Sequence, residues 1–189
     1  MNQEIQKSLD ELNDIMANVS SSYAVWRELT DADNRPKYEN IKIRYEHFIT
    51  TIDYANFAVV INGLNMIFEE NPKTHNLKAT LMMQRALGKF YESKIDQWLD
   101  LLDSWSETVK KIIILRSNVF SHRGKKGSAS DFMKKAGITP NEIGGLITKT
   151  ENLLKEFTKA ASLNMQIILS YCGKETKDST RKVMLALKA

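Results

Sequence analysis

The stretch Ile5-Gln6-Lys7-Ser8-Leu9-Asp10-Glu11-Leu12-Asn13-Asp14-Ile15-Met16-Ala17-Asn18-Val19-Ser20-Ser21-Ser22-Tyr23-Ala24-Val25-Trp26 decides the fold class. Ile5, Leu9, Leu12, Met16, Val19, Tyr23 and Trp26 recur at alternating steps of four and three. An α-helix turns once in about 3.6 residues, so these seven side chains share one stripe. A helix with one apolar stripe must bury it against other elements.

Outward from that helix the same period continues. Thr30 to Pro36 reads as a loop, and a second long helix is expected from about Tyr38 to Phe68. Its inward face would be Ile41, Tyr45, Phe48 and Ile52, with Gly63 a mild interruption costing about 1 kcal/mol against Ala. Glu70-Asn71-Pro72-Lys73 breaks the pattern. Asn76 is placed to cap a short helix from Leu77 to about Leu87, ended by Gly88. Helical periodicity resumes from Lys89 to about His122, with a bend near Asp103-Ser104. Gly124 to Gly127 and the following Ser-Ala-Ser read as loop. Thr139-Pro140-Asn141-Glu142 is a helix start, with Thr as cap, Pro at the first position and Glu closing a capping box. That helix carries Ile143, Ile147, Leu154, Phe157, Ala161, Met165 and Ile168 to near Tyr171, and Gly144-Gly145 inside it suits close helix packing. Stripes at this spacing are core first, and Trp26, Trp98 and Trp105 are read that way. No strand alternation and no repeat is visible. The sequence therefore predicts an all-α fold, an antiparallel bundle of four to five helices. Residues 1–173 would form a single helical domain and 174–189 a short basic C-terminal tail.

A chain of 189 residues suffices for one cored domain. Its longest apolar runs, such as Phe57 to Ile61 and Ile112 to Leu115, are too short to span a bilayer. The first residues lack the basic and apolar regions of a secretory signal. Cys172 is the only cysteine, which excludes an intrachain disulfide and a Cys-rich zinc site. A cytoplasmic protein is expected, with no cofactor and no metal, since no His/Glu ligand spacing is present. His47 and His75 are read as structural. Residues 1–109 hold 11 Lys+Arg against 17 Asp+Glu, a net of −6, and residues 110–189 hold 16 against 6, a net of +10. This asymmetry suits a polyanionic partner, attraction between the two halves, or a plain solvated basic surface.

One segment departs from the pattern. The stripe Trp98, Leu102, Trp105, Val109, Ile112 leads next to Arg116, which places a guanidinium where the helix should face protein. Such a charge needs a partner or a wet cleft. Ile112 to Leu115 is apolar around most of the circumference, as in a helix central to its bundle or packed on a second subunit. His122 lies about 120° around the helix from Arg116, whereas Asn118 lies four residues before His122 and can sit beside it. The end of the helix, or a second copy of the chain, would have to bring Arg and His together.

Leu115-Arg116-Ser117-Asn118-Val119-Phe120-Ser121-His122-Arg123 resembles the Arg-x(4–6)-His signature of HEPN proteins, in particular the AbiU-like abortive-infection branch, which typically reads Leu-Arg-Asn-Lys-Val-Phe-Ala-His-Arg-Asp. Leu64 to Leu77, with Phe68 and His75-Asn76-Leu77, is similar to the loop and helix start of that branch. Phe132 to Pro140 is similar to its lead into the final helix. The likeness spans roughly Phe48 to Leu169. Two positions depart from it: Ser117 stands where Asn or Asp usually follows the Arg, and Gly124 stands where Asp usually follows Arg123.

The resemblance implies a metal-independent endoribonuclease acting as a homodimer, in phage defence or a toxin–antitoxin pair, on tRNA or mRNA. Its neutralising partner would be an antitoxin such as a nucleotidyltransferase. The residue types fit. A histidine with an ordinary pKa near 6.5 can move protons at neutral pH, and a guanidinium pairs with phosphate oxygens. His122 is accordingly assigned to proton transfer and Arg116 to phosphate binding and transition-state stabilisation. Asn118 or Ser117 would orient the imidazole or the ribose, and Arg123, Lys125 and Lys126 would contact the RNA backbone. Three other readings stand beside this one. His122 is simply a favourable helix C-terminal charge, the chain is a catalytically inactive HEPN RNA-binding or assembly module, or it is a helical adaptor whose tail binds an acidic protein.

Overall fold

The computed structural model describes residues 3–71, 74–88, 92–121, 128–160 and 169–188. Among them the chain forms nine α-helices and no strand: α1 (Gln3–Thr30), α2 (Arg35–Arg44), α3 (Glu46–Phe68), α4 (Leu77–Ala86), α5 (Glu92–Ser104), α6 (Ser106–Ser121), α7 (Ala129–Ala136), α8 (Pro140–Ala160) and α9 (Leu169–Ala186). The all-α class is as expected, but the count of four to five helices is not.

Four local events account for the difference. Tyr45 leaves helical geometry at φ −123° and ψ 38°, so the expected second helix divides into α2 and α3. The break also shifts the inward face: Ile41 and Ile49 are buried, whereas Phe48 is 55 % exposed. Trp105 turns the chain between α5 and α6, its amide bonded to the Leu102 carbonyl at 3.0 Å. Ser128, expected in a loop, caps α7 through a capping box with Asp131, and Gly137 ends α7 at φ +63°, where a residue without Cβ avoids strain. Residues 174–186, expected as a tail, belong to α9, which packs along α1.

The central element is α1, which contacts α3, α8 and α9. Its stripe is buried as predicted at Ile5, Leu9, Leu12, Met16, Val19 and Trp26, and the core continues through Phe57, Ile61 and Leu64 of α3 to Leu153, Leu154 and Phe157 of α8. The rings of Trp26 and Phe57 lie 5.2 Å apart, and those of Trp98 and Phe157 5.5 Å apart. Gly63 does more than interrupt α3, since a Cβ there would overlap the Val19 methyl group of α1. Gly144 likewise makes room for Tyr23, whose hydroxyl donates to the Pro140 carbonyl at 3.0 Å. The helix starts at Asn76 and Thr139 form as expected. Asn76 accepts from the Ala79 amide, and Glu142 accepts from the Thr139 amide at 2.7 Å.

A second, smaller core joins Leu29, Tyr38, Ile41, Ile49 and Met184. At its edge the buried Glu28 carboxylate accepts from the Tyr38 hydroxyl at 2.7 Å and from Arg181 of α9 at 3.1 Å. Burial alone would push Glu28 up, but the hydrogen bonds from Arg181 and Tyr38 outweigh it and hold the carboxyl below its ordinary value. Among the described residues no helix is long and apolar enough to cross a membrane.

Candidate functional site

Two contacts brace α6, the helix that carries Arg116, Ser117 and Asn118. On its first half, Lys111 of α6 reaches Glu142 at the start of α8, 3.1 Å away. Glu142 is held below the ordinary carboxylate range by the Thr139 hydroxyl, then by the Thr139 amide and Lys111, so one carboxylate caps α8 and anchors α6. At the far end, the Tyr54 hydroxyl of α3 donates to the Val119 carbonyl at 3.4 Å. Val119 lies in the last described turn of α6. Helical spacing sets Tyr54 in line with the buried Phe57, Ile61 and Leu64, which marks it as a neighbour of the core and not as a brace.

Between these braces α6 buries Ile112, Leu115 and Val119. The stripe therefore turns through Leu115, not Arg116, and the expectation of a guanidinium on the packing face is corrected: Arg116 is exposed. Physically, Leu115 supplies an apolar group one step earlier, so the charge is spared a costly burial. Arg116 engages in contacts of its own at the surface. Ser117, also exposed, donates its hydroxyl to the Ile113 carbonyl at 3.0 Å, the back-bonding habit of Ser within helices. Asn118 is half-buried. His122, Arg123, Lys125 and Lys126 lie outside the described residues.

The apolar run of α6 splits between two environments. Ile112 and Leu115 face the core, while Ile113 is 42 % and Ile114 50 % exposed. Three and four residues apart on a helix are neighbours, so Ile113 adjoins Arg116 and Ile114 adjoins Asn118. The adjacent helix α3 also leaves an apolar face in solvent, with Phe48, Val59 and Met66 exposed at spacings that align them on one side.

The other two histidines take separate places. His75 is half-buried with Nε2 3.7 Å from Glu11 of α1, and His47 is exposed near the start of α3. Phe68, in a segment that carries the HEPN likeness, meets the Trp105 ring edge-on at 6.3 Å, which ties the end of α3 to the corner between α5 and α6.

With the geometry in place, comparison with known proteins is specific. The model of one protein family, AbiU2 of the HEPN group, matches residues 3–166. The chain belongs to the AbiU2 family of HEPN proteins. The match begins at α1, well before the Phe48 at which the sequence likeness was first seen, so in AbiU2 terms the central helix is part of the shared domain. It includes the motif segment from Arg116 to His122 and the braces at Tyr54 and Glu142. No curated protein and no solved structure matches the chain.

Proposed function

We propose that this AbiU2-family chain is a metal-independent endoribonuclease of a phage-defence or toxin–antitoxin system, with a composite site formed by two copies. The observation that carries the reading is the placement of Arg116 on the solvent side of α6, flanked by unburied Ile113 and Ile114. An apolar face next to a phosphate-binding charge suits a second copy that would cover the isoleucines and bring its own motif near. Soluble proteins rarely leave contiguous apolar patches without a use.

The chemistry then follows from residue types. His122 takes the proton of a ribose 2′-hydroxyl as that oxygen attacks phosphorus. The bond to the 5′-oxygen breaks, and the leaving oxygen receives a proton from the partner histidine or water. Arg116 neutralises the charge that accumulates on the phosphoryl oxygens. The products are a 2′,3′-cyclic phosphate and a 5′-hydroxyl, and DNA is resistant because it lacks the attacking group. Since Ser117 spends its hydroxyl proton on the Ile113 carbonyl, Asn118 is the better orienting group.

The test is cleavage of total RNA by the purified protein. His122→Ala should lower the rate on the order of 10²–10⁴-fold, the usual worth of a general acid or base. Arg116→Ala should lower it on the order of 10²–10³-fold. Absence of cleavage by the wild type, together with RNA binding that requires Arg116, would establish the second reading, an inactive RNA-binding module.

A further inference from the structure

A cleft of about 480 Å³ opens where α1, α8 and α9 meet, within the size range of small-molecule sites. None of its lining residues comes from α6, so it is separate from the proposed nuclease site. Its floor is made of small residues, Ser20 and Ala24 of α1, Gly144 of α8 and Gly173 of α9.

The charges around it are unequally committed. Glu28 accepts from Tyr38 and Arg181. Asp31 accepts from Arg27 at 2.9 Å and from the Asp33 amide, and Glu151 accepts from the Ser20 hydroxyl at 2.5 Å. Each lining carboxylate thus already has a donor. Lys174 and Lys177, one turn apart on α9 at the rim, form no ion pair with any described carboxylate. Arg181 and Arg27 neutralise Glu28 and Asp31, which leaves Glu151 against Lys174 and Lys177, a net of one positive charge. The carboxylates and the Thr148 hydroxyl, whose proton goes to the Gly144 carbonyl, keep oxygen lone pairs that can accept further hydroxyl protons.

We infer that this cleft binds a sugar phosphate, with the phosphate on Lys174 and Lys177 and the sugar hydroxyls donating to the oxygens of Glu151, Asp31 and Thr148. Lysine ammonium groups serve phosphate as point charges, and a polyhydroxylated body uses acceptors that an apolar ligand would leave unpaired. The site is independent of the nuclease reading and stands or falls apart from it.

The test is isothermal titration of the full chain at low salt with ribose 5-phosphate, ribose, inorganic phosphate and a short single-stranded RNA. Saturable one-to-one binding of ribose 5-phosphate is expected, at least tenfold tighter than ribose. It should weaken at least tenfold in the double variant Lys174→Ala/Lys177→Ala, whose exposed positions do not threaten the fold, and persist in Arg116→Ala. Phosphate should bind more weakly than ribose 5-phosphate. Absence of saturable binding, or equal binding by the double variant, overturns the proposal. So does RNA binding that needs the two lysines while ribose 5-phosphate does not bind, which would make them a track for an RNA backbone.

Discussion

At Tyr54 one hydroxyl links α3 to the Val119 carbonyl, near the end of the helix that presents Arg116. A single neutral hydrogen bond is worth about 1 kcal/mol, so Tyr54→Phe is expected to leave the fold stable to within about that amount. If α6 must be held still for phosphoryl transfer, kcat for RNA cleavage should fall several-fold with KM unchanged, since the tyrosine positions the motif and does not itself bind substrate. Unchanged kcat would remove Tyr54 from the account. Glu28 offers a second test at this scale. Its carboxyl is held below the ordinary 4.5 in the folded chain, so the folded state binds that proton less readily than the unfolded state does. The stabilisation is complete above the unfolded value and fades as pH falls through the folded one. Glu28→Gln should thus cost more stability at pH 7 than below about pH 4, as read from urea midpoints. An equal cost at both pH values would contradict the assignment.

Among the helices, the contact of α1 with α3 depends on the missing side chain at Gly63. Gly63→Ala should destabilise by about 1–3 kcal/mol, the usual cost of overpacking, because the Val19 methyl in its way is buried and β-branched. A urea denaturation series checks this. The same element scale shows where the sequence could be read and where it could not. The stripe of α1 and the caps at Asn76 and Thr139 were legible because periodicity and capping are local. The corner at Trp105 was legible as the bend near Asp103-Ser104, whereas the break at Tyr45 was not, since tyrosine is no helix breaker and the turn there is imposed by what the flanking helices pack against. The misplacement of Arg116 has another source: Trp98, Leu102, Trp105 and Ile112 are all buried on the expected stripe, and the step after Ile112 is three, to Leu115, and not four, to Arg116. The helix α9 escaped for a related reason: of its described side chains only Met184 is a buried hydrophobe, too little periodicity to announce a packed element.

For the molecule as a whole, the exposed isoleucines of α6 set the oligomer question. Ile113→Glu and Ile114→Glu each place a carboxylate beside the motif. In the proposed assembly each should shift the particle from dimer to monomer at micromolar concentration by light scattering and abolish RNA cleavage, while helical content stays unchanged. A wild-type monomer at the same concentration would refute the composite site. The motif made the family legible but not its own geometry, because the face that Arg116 occupies depends on which residue of α6 packs inward.

The link between Glu28 and Arg181 bears on how the chain acquires its structure in time. These residues are 153 positions apart, and Ser20 and Glu151 are 131 apart, so α1 is completed by elements synthesised long after it. Helical proteins rich in local contacts fold fastest, and distant pairings slow the search. Here a buried carboxylate near the start of the chain waits through most of synthesis for its guanidinium. Until α9 docks, the Leu29, Tyr38, Ile41 and Ile49 cluster lacks Met184 as its cover, and uncovered apolar surface of that kind is what makes incompletely folded chains prone to aggregate.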